Sequence, residues 1–235
     1  MSYDYATFVS TIETMAVINP STDSEFVSMI PRMIEAAEMR CYRDVDFMIT
    51  RKYAQSTFQA IGTVGAAAQL LAAPTDMVIP RTLAYFTPVG TTTTRAFLER
   101  RQENYLQDYN ATPGTGGAPK FWAMTTFGTL IIAPTPDQAY TTELAYTYRP
   151  APLSATNTTT WLATWCPDLM LYAALVFISG YQKNFGAAVD DPKMAVTWEG
   201  QYQQALRTSV TEEERRKASG YADFGPSMTP STNAN

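Results

Sequence analysis

The stretch Leu169–Ser179, LMLYAALVFIS, would be apolar on every side of a helix. A helix that is hydrophobic all round is either a membrane span or the buried centre of a helical bundle. Its eleven residues are too few for a bilayer, which requires about 20. Pro167, just before the stretch, suits the first turn of a helix, where its missing N–H is not needed. The sequence therefore predicts a central core helix that other helices must cover.

Helical patterns occur near both ends of the chain. Apolar side chains recur at spacings of three and four in residues 4–18, in residues 31–45 and again from Met194 to Leu206. Pro31 either kinks a long helix or opens a new helix at its first position, and we favour the second. These segments are the candidates for covering the core helix.

The middle of the chain has a different texture. From Ile49 to Pro150 it is rich in Thr, Tyr, Val, Pro and Gly, and short alternating runs replace the helical stripes. The clearest strand starts at Tyr140 and predicts a core on one side only. Its first face carries Tyr140, Thr142, Leu144, Tyr146 and Tyr148, and its second face is mostly polar.

Three further predictions concern this β-rich stretch. Phe127-Gly128 marks a hairpin turn between two short strands. Residues 95–109 interrupt the strands with helix-like spacing. The small residues of 62–68 and the Gly- and Pro-rich residues 110–119 predict surface loops.

The order helical, β, helical and tail predicts an α+β fold. The two helical ends should pack together, because the core helix needs cover on all sides. The expected arrangement is a helical bundle built from residues 1–47 and 151–217, with a small antiparallel β domain inserted at 48–150. Residues 218–235 have too little apolar content to fold alone and are expected to form an extended C-terminal tail.

Composition excludes several kinds of site. The chain has no histidine, which rules out Ser–His triads, Cys–His dyads and histidine-ligated zinc. Two cysteines, Cys41 and Cys166, cannot form a four-cysteine metal site. Both lie in predicted helices beside apolar residues, so buried free thiols are expected, although a single disulfide remains possible. No signal peptide is visible at the N-terminus, which indicates synthesis in a reducing, intracellular compartment.

Charge gives a second constraint. The formal net charge is −5 and only 17% of residues are charged. An acidic chain does not supply the clustered Lys and Arg that grip nucleic acid, although DNA could pass nearby without being held. Few charges and many Thr and Tyr residues are compatible with surfaces buried against other copies or partners.

Several side-chain groups could be read as functional. Glu35 and Glu38 could form a carboxylate pair for glycoside hydrolysis, but two acids one turn apart on a wet helix face are usually only solvated. The aromatic face of the tyrosine strand could stack sugars or bases, and a half-buried core face is the preferred interpretation. The run Glu212–Lys217 is interpreted as a solvated helix end. No catalytic, metal or cofactor site is predicted.

A set of motifs resembles the family of phage head-to-tail adaptor proteins, including podovirus-type tail tubular protein A adaptors. The motifs follow in register across most of the chain, from about Ile30 to Leu206. The departures are local: residues 62–68 are unusually rich in small residues, and the tail after Lys217 matches no fixed pattern. They are the helix IPRMIEAAEMR with Tyr42-Arg43, the turn Pro74-Thr75-Asp76, Gly117–Ala123, Ile131–Asp137, Tyr146–Pro150 with Leu153-Ser154, and Thr160–Leu162 with Cys166–Leu175.

The resemblance implies a structural role in the virion neck. Such adaptors form a ring, usually of twelve copies, beneath the portal protein, and they recruit a tail or second neck protein. Genomic DNA passes through the lumen without sequence-specific binding, and no cofactor or membrane is expected. Synthesis would take place in the host cytoplasm.

The resemblance also suggests a docking segment. The C-terminal tail of such adaptors commonly clasps the portal, so Tyr221, Phe224 and Pro226 are the candidate portal-docking residues, unless they lie loose in solvent. Two other functions stay open at this point. One is a peptidoglycan-degrading adaptor that uses carboxylates such as Glu35 and Glu38, and the other is a carbohydrate-binding tail component.

Overall fold

The structure is a computed structural model that describes residues 3–17, 21–89, 92–184 and 194–222. Two short 3-10 turns, Met48–Thr50 and Gly65–Gln69, accompany the longer elements. The α-helices of the described residues are α1 (Tyr5–Met15), α2 (Ser24–Asp44), α3 (Ile61–Val64), α4 (Glu103–Tyr109), α5 (Trp161–Trp165), α6 (Pro167–Asn184) and α7 (Met194–Ala222). The strands are β1 (Arg51–Phe58), β2 (Leu70–Ala72), β3 (Met77–Val89), β4 (Thr92–Arg100), β5 (Gly116–Gly117), β6 (Phe121–Thr126), β7 (Thr129–Ala133), β8 (Thr135–Pro136) and β9 (Tyr140–Tyr148).

The fold is α+β, as the sequence predicts. The chain divides into two compact units, one comprising Met1–Ile49 with Pro150–Asn235 and the other comprising Thr50–Arg149. Helices α1, α2, α5, α6 and α7 belong to the first, which we call the helical unit. The nine strands found in the described residues belong to the second, which we call the β-rich unit.

Helix α6 is the core of the helical unit. It contacts α1, α2, α5 and α7, and its side chains from Leu169 to Ile178 are mostly buried. Pro167 is its first residue, as predicted. Among the residues that the structure describes, none of the helices combines the length and apolar character that a bilayer crossing needs. The remaining core side chains of this unit include Phe8, Ile12, Ile30, Ile34, Cys41 and Tyr202.

Helix α2 corrects the prediction at Pro31. The helix runs unbroken from Ser24 to Asp44, with Pro31 inside it rather than at the start of a new helix. Pro31 is exposed, so its ring lies on the solvent side of the helix and displaces no core side chain. The buried side chains Ile30 and Ile34 on either side continue one apolar face. Packing of that face stabilises helical backbone on both sides of the proline.

Helix α7 is longer than the sequence suggests. The charged run Glu212–Lys217 lies inside the helix, which continues to Ala222. Residues 218–222, predicted as part of the extended tail, are therefore helical, and the rest of the predicted tail lies outside the described residues. Adding residues to an established helix needs no new nucleation, so Ala218 and Ser219 extend it at little free-energy cost. The predicted break at Gly186–Pro192 lies outside the described residues.

The β-rich unit contains a seven-stranded sheet with the order β1-β9-β3-β4-β6-β7-β2. Its hydrogen-bonded pairs are antiparallel except for β4 with β6, which run parallel. The predicted antiparallel β domain is therefore wrong at this pair, and also at β5 with β8, which run parallel. The hairpin at Phe127-Gly128 is confirmed, and Gly128 has a φ of 88°, which favours glycine.

Residues 95–109 are not one helical segment. Residues up to Arg100 form β4, which pairs with β3 so that Phe97 lies opposite Ala84, and only Glu103–Tyr109 is helical. The first part of this segment forms a strand despite its helix-like spacing. Pairing with β3 satisfies the backbone hydrogen-bonding groups and buries Leu98 on the core face.

The two predicted loops contain regular structure. Residues 61–69 form α3 and a 3-10 turn, and Gly116–Gly117 pair with β8 in a separate two-stranded sheet. A Cβ atom on Gly116 would lie 3.0 Å from the Cα of Asp137, so glycine permits this close approach.

Candidate interaction site in the helical unit

An apolar groove opens on the helical unit. It has a volume of about 440 Å³ and is lined by Met48, Ile49, Trp161, Trp165, Glu213 and Arg216. Trp165, at the end of α5, is 62% exposed, and Met48 and Ile49 are about 40% exposed. Indole and aliphatic side chains left in water at one place are typical of a binding surface.

One of the residues that line the groove is a buried carboxylate. Glu213 of α7 is only 2% exposed and accepts a hydrogen bond of 2.6 Å from the backbone N–H of Met48. Its other oxygen accepts from Nη1 of Arg216 at 3.1 Å. Arg216 also pairs with Glu212, and its guanidinium lies 5.0 Å from the ring centroid of Trp161. These contacts fix the indole of Trp161 as one wall of the groove.

The predicted solvated helix end is therefore wrong for Glu213. The buried stripe of α7 passes through Tyr202, Ala205 and Ser209 and reaches Glu213 at the next step of four residues. This spacing indicates that Glu213 belongs to the buried face of the helix, although a charged side chain by itself suggests exposure. Lys217, one turn after Glu213, forms an ion pair with Asp46 at 3.0 Å, so α7 contacts the segment around Met48 at two places.

A second buried carboxylate holds the segment where the chain returns to the helical unit. Glu38 of α2 is 2% exposed. It accepts 2.9 Å and 2.8 Å hydrogen bonds from the Leu153 N–H and the Thr160 hydroxyl. Thr160 in turn accepts from the N–H of Ala163 and so caps α5. Burial raises the pKa of Glu38 above its usual range, while the two hydrogen bonds oppose that shift.

The predicted wet face for the Glu35 and Glu38 pair is wrong. Glu35 is exposed and Glu38 is buried with both oxygens occupied by intramolecular donors. A general acid must reach a substrate, and Glu38 does not. Glu38 lies one turn after Ile34 in the buried stripe, which was the available signal for its position.

A polar network joins α2 to α7. Arg40 donates two hydrogen bonds to Glu199, at 2.9 and 2.6 Å, and its guanidinium lies 4.0 Å from the ring centroid of Tyr202. The hydroxyl of Tyr202 donates to Asp44 at 2.6 Å. The bidentate hydrogen bond from Arg40 lowers the pKa of Glu199. Two helices are thus locked in one register by paired charges and a buried aromatic ring.

Both cysteines are free and buried. Burial raises the pKa of the Cys41 thiol to about 12 and that of Cys166 to about 11. Within the described ranges, no three acidic or cysteine side chains gather closely enough to hold a metal ion.

The comparison with family models decides the family. The family model described as "SU10 adaptor protein" matches residues 3–225, which is almost the whole chain. The chain belongs to the SU10 adaptor protein family. This is a family of phage head-to-tail adaptors, so the resemblance inferred from the motifs is confirmed. No curated protein gives a significant match.

The docking residues predicted for the adaptor lie at or beyond the end of α7. Tyr221 belongs to the last turn of that helix. Phe224 and Pro226 lie outside the described residues. The groove on the adaptor, by contrast, was not predicted, although Trp161 and Trp165 are four residues apart and so share one side of a helix.

The tyrosine strand of the adaptor is a core element. Tyr140, Thr142, Leu144 and Tyr146 are buried, so this face offers no stacking platform to a sugar or base. The preferred interpretation as a core face is confirmed for these four. The opposite face is less polar than predicted, because Ala145 and Thr147 are also buried where β9 lies between β1 and β3.

Proposed function

We propose that this chain is the structural adaptor that joins the capsid of a tailed phage to its tail. The observation that carries the proposal is the family match over residues 3–225. In this proposal the subunits form a ring of twelve under the portal, in the neck of the virion, after synthesis in the host cytoplasm. The ring binds the portal on one side and a tail or second neck protein on the other.

Each part of the subunit has a role in this proposal. The helical unit forms the body of one wedge of the ring, with α6 as its rigid core. The β-rich unit is an inserted domain on the outer or tail-facing side. The C-terminal tail reaches the portal, with Tyr221, Phe224 and Pro226 as its docking residues.

The charge of the chain suits a DNA conduit. A formal net charge of −5 per subunit makes the ring acidic. A lumen that repels the phosphate backbone lets DNA slide, whereas a basic lumen would hold it. The role needs no catalytic group, and the burial of Glu38 removes the support for the hydrolase alternative.

The test is attachment to the phage's own portal protein. The full chain and a chain that ends after Ala222 are each mixed with purified portal, and native mass spectrometry counts the bound copies. We expect twelve full-length copies per portal ring and loss of binding by the shortened chain. The shortened chain retains every described residue, and circular dichroism of both chains checks that it still folds.

A second variant makes the test specific. Phe224→Ala in the full chain should weaken portal binding, whereas Thr229→Ala, five residues further on, is the matched control and should not. Equal portal binding by the full and shortened chains would contradict tail docking. A full chain that never forms a ring on the portal would contradict the adaptor role itself.

A further inference from the structure

We propose that the groove of the helical unit binds the C-terminal segment Pro226–Pro230 of the same chain before assembly. The groove is the one lined by Met48, Ile49, Trp161, Trp165, Glu213 and Arg216. Its volume of about 440 Å³ lies within the range of ~300–1,000 Å³ that is usual for ligand pockets.

The side chains that line the groove favour an apolar partner. Trp165 leaves 62% of its surface in water. The polar groups that line the groove have their partners already, because Glu213 accepts hydrogen bonds from the Met48 N–H and from Arg216. An occupant therefore gains from contact with indole and aliphatic surface rather than from new ion pairs.

The C-terminal segment has a matching pattern. Pro226, Met228 and Pro230 alternate with Ser227 and Thr229. In an extended chain, alternate residues lie on one face, so these three side chains would form a single apolar edge. Proline-containing extended segments dock in grooves lined by aromatic rings, and a methionine sulfur makes favourable contacts with them.

The end of α7 places this segment within reach. Arg216 is part of the groove, and α7 continues for six residues to Ala222, a rise of about 9 Å. An extended chain covers that distance in about three residues, at ~3.3 Å each. Residues from Pro226 onward can therefore return to the groove from which the helix leaves.

The short connection favours the same chain over a second copy. A segment tethered this closely has an effective concentration of about 1 mM at its own groove, far above the concentration of other copies in a dilute solution. Binding in the groove does not rest on the proposed portal contact. If both occur, they compete, because one segment cannot occupy two sites.

The test places a fluorophore on the tail of the full chain. A bimane is attached through Ser227→Cys, on the polar side of the segment, and its emission is quenched when it contacts an indole ring. The native thiols Cys41 and Cys166 are buried and should not take up the label. Trp165→Leu removes the exposed indole, and Phe177→Leu, at another exposed aromatic residue of the helical unit, is the matched control.

With no portal present, we expect Trp165→Leu to raise the emission about twofold, since a tether of ~1 mM keeps about half the tails bound at an affinity of ~1 mM. The tail variant Met228→Ser should also raise the bimane emission, whereas Phe177→Leu should not. The emission of each variant should be independent of protein concentration. Equal emission from all variants would overturn the proposal. Quenching that grows with protein concentration would also overturn it, by assigning the groove to the tail of a second copy. A failure of portal binding leaves these readings unchanged.

Discussion

Replacing Glu38 tests whether a buried carboxylate holds the returning chain against α2. Glu38→Ala removes the acceptor of two hydrogen bonds, from the Leu153 N–H at 2.9 Å and the Thr160 hydroxyl at 2.8 Å. A hydrogen bond to a charged group contributes about 1.5–3 kcal/mol. Because the buried carboxylate also carries a desolvation cost that the variant escapes, we expect a net loss of about 3 kcal/mol in the free energy of unfolding. Urea denaturation followed by tryptophan fluorescence would measure it.

Glu38→Gln is the matched variant. Its amide oxygen still accepts from the Leu153 N–H, and the Thr160 hydroxyl can rotate to accept from the amide NH₂. We therefore expect Glu38→Gln to lose less than about 1 kcal/mol at pH 7. If both variants cost the same, or if Glu38→Ala costs less than about 0.5 kcal/mol, the reasoning is refuted.

The pH dependence gives an independent check on Glu38. Its pKa is raised by burial, so the folded state binds the proton more tightly than the unfolded state does. This tighter proton binding contributes fully to the free energy of unfolding at pH values below the pKa that Glu38 has in the unfolded chain, near 4.5. The contribution is lost as the pH rises through the raised pKa of Glu38 in the folded chain. Glu38→Gln does not titrate, so its deficit relative to the natural chain should shrink between pH 4.5 and pH 7. A deficit that grows over this interval would contradict the raised pKa.

Three further predictions concern other parts of the subunit. Leu171→Asp places a charge in the buried surface of α6, so the helical unit should fail to fold, and loss of the helical circular dichroism signal would show it. Gly116→Ala forces backbone apart and should lower the stability of the β-rich unit by about 1–3 kcal/mol, whereas Gly114→Ala meets nothing within 4 Å and should be nearly neutral in the same thermal melt. Cys41 and Cys166 should resist a thiol reagent at pH 8 until denaturant is added, because both are buried and their pKa values are raised. Rapid labelling of the folded chain would contradict their burial.

The elements predicted best are those whose local pattern agrees with their packing. Leu169–Ser179 is apolar all round and forms the buried core of α6. The turn at Phe127-Gly128 joins two strands because glycine accepts the positive φ there. Strand β9 also follows its alternation over Tyr140–Tyr146.

The errors fall where partners distant in sequence override the local pattern. Pro31 lies inside α2 because apolar residues on both sides of it pack on one face. Residues up to Arg100 form β4 because β3 offers a pairing edge. Glu38 and Glu213 are buried because backbone N–H groups of Leu153 and Met48 need acceptors at those places.

The sequence alone determined the α+β class, the buried character of α6 and the adaptor family, because each follows from composition, periodicity or ordered motifs. Tertiary structure decided the rest: which carboxylates leave the solvent, and where indole surface stays exposed. The physical reason is that the burial of Glu38, or the exposure of Trp165, depends on which donors and side chains the fold brings beside it. The residue that donates to Glu38, Leu153, lies more than a hundred residues away in the sequence. The groove around Trp165 includes Met48 and Ile49 from the N-terminal segment of the helical unit.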